Sequence, residues 1–70
     1  MKELVTKIDA FRRELGMKQE ELAERVGVRR ETISRLEKGL YNPSLKLAAD
    51  IAEVFGVPIE DVFQFVEVED

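Results

Sequence analysis

The sequence predicts an all-α domain of five short helices that ends in an extended tail. Apolar residues recur at helical spacing in five stretches, and Gly, Ser or Pro punctuates each stretch. Residues 64–70 then change to an alternation with a period of two. Seventy residues suffice for one core, so the chain is read as a single domain, 1–70, with no linker, repeat or low-complexity segment dividing it.

Val5, Ile8, Phe11 and Leu15 mark the first helix, which Gly16 stops. The second runs from Gln19 to Val26 with Leu22, Ala23 and Val26 on one face, and Gly27 closes it. Arg30 to Lys38 is the third, with Ile33 and Leu36 turned inward and Gly39 as its end. Tyr41, Asn42 and Pro43 form a connecting turn. Ser44 caps a fourth helix lined by Leu45, Ala48, Ile51, Ala52 and Phe55 and stopped by Gly56. Pro58 at a first-turn position opens a short fifth helix, with Glu60 and Asp61 near its positive end and Ile59, Val62 and Phe63 as its apolar members. In the tail, Phe63, Phe65, Val66 and Val68 alternate roughly with Gln64, Glu67 and Glu69, as an extended strand would. The expected core is Leu22, Ala23, Val26, Val28, Ile33, Leu36, Ile51, Ala52 and Phe55.

The chain has no cysteine and no histidine, which removes disulfides, thiolate metal sites, cysteine nucleophiles and imidazole bases. No catalytic residue, metal site or cofactor is therefore expected. No apolar run resembles a signal peptide core or spans a bilayer, so a cytoplasmic protein without membrane contact is expected, and no small-molecule ligand is indicated. The net charge of −4 opposes phosphate binding at first sight, but it is segregated. Residues 1–46 hold all 11 Lys and Arg against 8 acids, whereas residues 47–70 hold 7 acids and no base. A basic face is compatible with an acidic total.

Two short helices joined at Gly27 by a tight turn, the second rich in Arg, have the geometry of a helix-turn-helix unit at about 19–38. That geometry also occurs in proteins that never touch DNA. The spaced residues Gln19, Leu22-Ala23, Gly27-Val28, Thr32-Ile33-Ser34, Glu37, Gly39 and Pro43-Ser44 go further. They closely resemble the Cro/C1-type repressor family, also called the XRE family, and the resemblance covers nearly the whole chain through Asp61-Val62-Phe63. The chain looks most like the short single-domain members with a brief tail, the cytolysin-repressor type.

This resemblance implies a five-helix, lambda-repressor-like domain that binds operator DNA, usually as a symmetric dimer. It places Arg30, Glu31 and Arg35 against base edges, with Ser34 beside them. It places Gln19 at a phosphate, and implies an internal ion pair of Arg12 with Glu37 in which Arg12 also faces the DNA backbone. The turn at Leu40, Tyr41 and Asn42 corresponds to phosphate contacts, and Lys18, Arg29, Thr32 and Lys38 complete the expected phosphate set. Independently, Arg grips guanine O6 and N7 bidentately, which makes Arg30 and Arg35 the specificity candidates. Glu31 either accepts from cytosine N4 or holds Arg35 through an i,i+4 pair; the second is favoured, because phosphates repel an unpaired carboxylate. Tyr41 either reaches a phosphate or packs its ring over the third helix.

Where the family has Ser or Thr at the starts of helices two and three, this chain has Lys18 and Arg29. Each forgoes about 1 kcal/mol of capping and sets a cation at the positive end of a helix dipole. Either a phosphate over those helix starts reverses the penalty, or the caps are suboptimal.

Ile59, Val62, Phe63, Phe65 and Val66 are expected to form a dimer interface, since so small a chain covers its apolar tail poorly. The tail pairs either with Glu3 to Val5 or with a partner's tail. Acidic Glu67, Glu69 and Asp70 are expected to point away from DNA. The function expected is a double-stranded-DNA-binding repressor on a pseudo-palindromic operator. The alternative is an antitoxin-like protein-interaction module using the acidic C-terminal half, which would not need Lys18, Arg29, Arg30 and Arg35 on one surface.

Overall fold

The computed structural model describes residues 1–69, so Asp70 of the acidic tail end lies outside the described residues. The element order is β1 (Lys2–Thr6), α1 (Ile8–Glu14), α2 (Gln19–Val26), α3 (Arg30–Glu37), α4 (Leu45–Phe55), α5 (Ile59–Val62) and β2 (Phe63–Glu67). The two strands pair antiparallel, Lys2 with Glu67 through Thr6 with Phe63, so the tail pairs with its own N-terminus. Backbone bonds close both ends of the ladder: Val68 N–H donates to the Met1 carbonyl and Lys7 N–H to that of Val62, each at 2.8 Å.

The five helices and the extended C-terminal tail are as expected; the difference from an all-α domain is a small two-stranded sheet completed by an N-terminal strand. Val5, read as the start of the first helix, lies in β1, and helix α1 begins three residues later at Ile8. A three-residue spacing suits a helical stripe but leaves the intervening residues free, and a distant partner decided the conformation here. Within β1 only Leu4 and Thr6 are half-buried, which is the period-two signature. Phe63 likewise leaves the fifth helix and opens β2, so α5 is a single turn with Pro58 as its N-cap.

Ile8, Leu22, Ile33, Leu36, Ile51 and Val62 are fully buried, one or more from every helix. Each such side chain contributes about 1.5–3 kcal/mol when removed from water. Phe11 and Phe55 stack at 5.4 Å between centroids beside this centre, and Val26 and Val28 pack against it half-buried. Met17, absent from the expected core, is buried too. Helices α2 and α3 have eight residues each, too few to persist alone in water, so packing holds them, α2 against α3 and α4, and α3 also against α1 and β1. Among the described residues no helix is long and apolar enough to cross a membrane.

Two glycines set the geometry of the helical pair. Gly27 caps α2 in the left-handed region at φ 73°, and the chain is extended again at Arg29, the N-cap of α3. Gly39 ends α3 at φ 69°, and a Cβ there would lie 2.6 Å from the Leu4 carbonyl oxygen, whereas one on Gly27 would meet nothing. The backbone of β1 thus rests on the end of α3. Gly27→Ala is expected to cost about 1–2 kcal/mol from the left-handed backbone alone. Gly39→Ala adds a steric clash and should cost about 1–3 kcal/mol more in urea unfolding; equal losses would contradict this packing.

Candidate nucleic-acid interface

Helix α3 displays its polar residues because Ile33 and Leu36 anchor the opposite side. Arg29, Arg30, Glu31 and Arg35 are exposed, and Thr32 and Ser34 are half-buried along the same helix. Arg29, Glu31, Thr32, Arg35 and Tyr41 line an open polar depression of about 370 Å³. Lys18 and Arg29 are the N-caps of α2 and α3, and neither helix start receives a side-chain cap. By contrast, Ser44 caps α4 by accepting from the Leu47 N–H at 3.1 Å. The first N–H groups of α2 and α3 thus remain open beside cations, the arrangement that suits an anion.

A polar chain fixes these two helix starts. Arg12 forms a two-pronged pair with Glu37, Nε to Oε2 at 2.9 Å and Nη2 to Oε1 at 3.4 Å, and its Nη1 donates to the Met17 carbonyl at 2.9 Å. Gln19 Nε2 donates to the same carboxylate at 2.9 Å, and Gln19 Oε1 accepts from Arg30 Nη1 at 3.4 Å. Arg12 and Glu37 side chains are only 14% and 11% exposed, so this charge pair belongs largely to the interior. The internal Arg12–Glu37 pair is thus present, and the Arg12 guanidinium is directed at Glu37 and Met17. The side chain of Gln19 is also engaged at both ends, which leaves its backbone N–H as the group to offer a ligand.

Arg35 is held by an aromatic ring, and the expected carboxylate contact does not form. Its guanidinium carbon lies 5.8 Å from the Tyr41 ring centroid, whereas Glu31 forms no salt bridge among the described residues. Tyr41 packs half-buried against the core while its ring supports Arg35. Lys38 and Asn42 are exposed in the adjoining turn. Sequence reasoning missed the links Gln19–Glu37, Arg30–Gln19 and Arg35–Tyr41; the first two join residues 18 and 11 positions apart, beyond any local periodicity.

The expected dimer residues separate into two groups. Val62 is fully buried and Phe63 is 9% exposed, so both are core and unavailable to a partner, which corrects that expectation. They fill the space beneath the sheet, where the ladder turns Phe63 inward. Phe65 at 59% and Val66 at 40% exposure stay outside, and Ile59 is half-buried. Leu4, Leu45, Ala48, Ile59, Phe63 and Phe65, together with Asn42 and Pro43, line a mainly apolar groove of about 290 Å³.

A short α-helical pair with arginines exposed on the second helix is the arrangement of helix-turn-helix DNA-binding proteins. Residues 8–62 match the family model described as helix-turn-helix, so the chain belongs to that family, of the Cro/C1 type, whose members are DNA-binding transcriptional regulators. It is 66% identical over 64 residues to a protein named as an HTH-type transcriptional regulator from Archaeoglobus fulgidus, covering 91% of this chain and 90% of that relative. It is 37% identical over 57 residues to the cryptic phage CTXphi transcriptional repressor RstR of Vibrio cholerae, covering 81% of this chain and 51% of RstR. Among solved structures, the transcriptional regulator VanUg superposes with a TM-score of 0.76 at 26% identity, over 93% of this chain and 87% of that one.

Arg29→Ser discriminates between a phosphate clamp and a suboptimal cap. It is expected to raise thermal stability by about 1 kcal/mol through the restored cap while weakening DNA binding. Unchanged DNA affinity alongside higher stability would eliminate Arg29 as a phosphate contact.

Proposed function

We propose that the chain is a sequence-specific repressor that occupies a pseudo-palindromic operator in double-stranded DNA as a homodimer in the cytoplasm. The observation that carries this reading is the set of exposed arginines on and beside α3, Arg29, Arg30 and Arg35, with two uncapped helix starts adjoining them. Arg30 and Arg35 read base edges, each supported from behind by Gln19 or Tyr41, and Ser34 lies between them. Glu31 is free to accept from a cytosine N4 in the same groove. Lys18, Arg29, the Gln19 N–H, Thr32, Lys38, Tyr41 and Asn42 surround this strip and contact phosphates, which fix the register of the helix on the duplex. The kinship with RstR, itself named a repressor, favours repression by occupancy.

Dimerisation rests on the apolar groove bordered by Leu45, 78% exposed, and Phe65, 59% exposed. A second copy is its occupant, because a two-fold contact buries the same large side chains on both chains at once. Two α3 helices would then stand about 34 Å apart along the duplex. An antitoxin-like interaction module remains the competing reading, but it gives the exposed arginines of α3 no use.

Selection of bound sequences from random duplexes is expected to recover a two-fold symmetric site. Arg30→Ala or Arg35→Ala should each cost about 1–3 kcal/mol and relax preference at one position per half-site. Retention of no preferred sequence by the unaltered chain would reject the reading. Phe65→Asp is expected to yield a folded monomer in sedimentation, with operator affinity reduced on the order of 100-fold through lost bivalency. A dimer that persists in this variant would move the interface elsewhere.

A further inference from the structure

Along β1 runs a second polar groove, about 470 Å³ in volume, formed by Lys2, Glu3, Leu4 and the turn 38–42. Tyr41 lines both this groove and the depression around Arg29 and Arg35, so the two adjoin. Lys2 and Lys38 are exposed, and neither forms a salt bridge among the described residues. Strand alternation sets Lys2 on the face of Leu4 and Thr6, which pack toward the domain, and sets the Glu3 side chain on the opposite face. Glu67, the cross-strand partner of Lys2, engages the N-terminal ammonium at 3.4 Å and is not part of the groove. Two unpaired cations therefore flank a polar trough, with the Tyr41 and Asn42 side chains as additional donors.

We propose that this groove holds a further backbone phosphate of the bound duplex, with Lys2 and Lys38 supplying the countercharge. The inference rests on α3 being the base-reading helix, and it makes β1 part of the DNA contact. A polyanion fits better than a small ligand because the trough is open and continues the cationic surface of α3, so a strand backbone can run past it. The contact of Gly39 with the Leu4 carbonyl fixes the spacing between the strand and the end of α3, so the position of Lys2 relative to the recognition helix is set by packing. Such a contact adds affinity and orientation while carrying no base preference.

The test measures affinity of the full chain for its selected duplex across a salt series. Lys2→Gln is expected to weaken binding several-fold, reduce the slope of log affinity against log salt by about 0.9, and leave base preference unchanged. Lys2→Arg should restore the slope. Lys38→Gln, on the other wall, should lower the slope similarly, and because Lys38 also borders the α3 strip the groove is decided by Lys2→Gln. Lys7→Gln removes the same charge from the N-cap of α1, just past the other end of the strand, and should leave the slope unchanged. A wild-type slope for Lys2→Gln, or an equal fall for Lys7→Gln, overturns the groove while operator binding stands. A chain that selects no sequence, or binds equally well as Arg30→Ala, overturns the α3 reading and this proposal with it.

Discussion

The Arg12–Glu37 pair joins three segments that hydrophobic packing alone would leave free to slide. Its carboxylate comes from the last turn of α3, its guanidinium from the last turns of α1, and Gln19 at the start of α2 shares the same oxygen. Ion pairs this far from water add little net stability, because desolvation offsets most of the attraction. Their effect is on registration. A carboxylate with three donors aimed at it accepts few alternative arrangements, and removing either charge would leave the other with incomplete solvation. Arg30 then inherits its orientation from that same network through Gln19, so a base-facing side chain is coupled to the interior two hydrogen bonds away.

The helical pair is otherwise weakly self-supporting. Eight-residue helices without side-chain N-caps lie well below the length that persists in water. What holds them is burial of Leu22, Ala23, Ile33 and Leu36 in the core they share with Ala48, Ile51 and Ala52 of α4, a helix of eleven residues with the well-formed Ser44 cap. Stability is concentrated in the scaffold, and the polar surface of α3 is free to satisfy a ligand instead of the fold. The strands add a second constraint from the opposite end of the chain, since β2 aligns β1 and β1 abuts Gly39 at the end of α3.

Helix positions were legible where local signals agreed. The bounds of α2 follow from Leu22, Ala23, Val26 and a left-handed Gly27, and Ser44 announced the start of α4 through ordinary capping chemistry. The N-terminal strand was legible only as one of two partners open to the tail, because Val5 sits three residues before Ile8 and its true partner, Gln64, is far along the chain. Phe63 misled in the same way: apolar character suits a core helix, a strand and an interface equally, and only the sheet register decides among them. For the candidate site, residue types and helix faces could be read. The supports behind them could not, since Glu31 at i,i+4 is the nearest sequence neighbour able to hold Arg35, while Tyr41 reaches it only after Gly39 has turned the chain.

The cations at the starts of α2 and α3 are the places where local rules and the fold disagree. Most of the chain follows the preferences of its elements, yet Lys18 and Arg29 occupy positions at which both capping and the helix dipole favour the opposite chemistry. Conflicts of this kind concentrate where a sequence answers to something besides its own stability. Both fall beside the same strip of α3, both leave N–H groups open, and a bound anion would turn each local loss into a gain. Such an anion would bind the folded domain and not the unfolded chain, so by mass action the complex would also be the more stable state of α2 and α3. The penalty at the two helix starts would thereby become part of the binding free energy of the very surface that carries it.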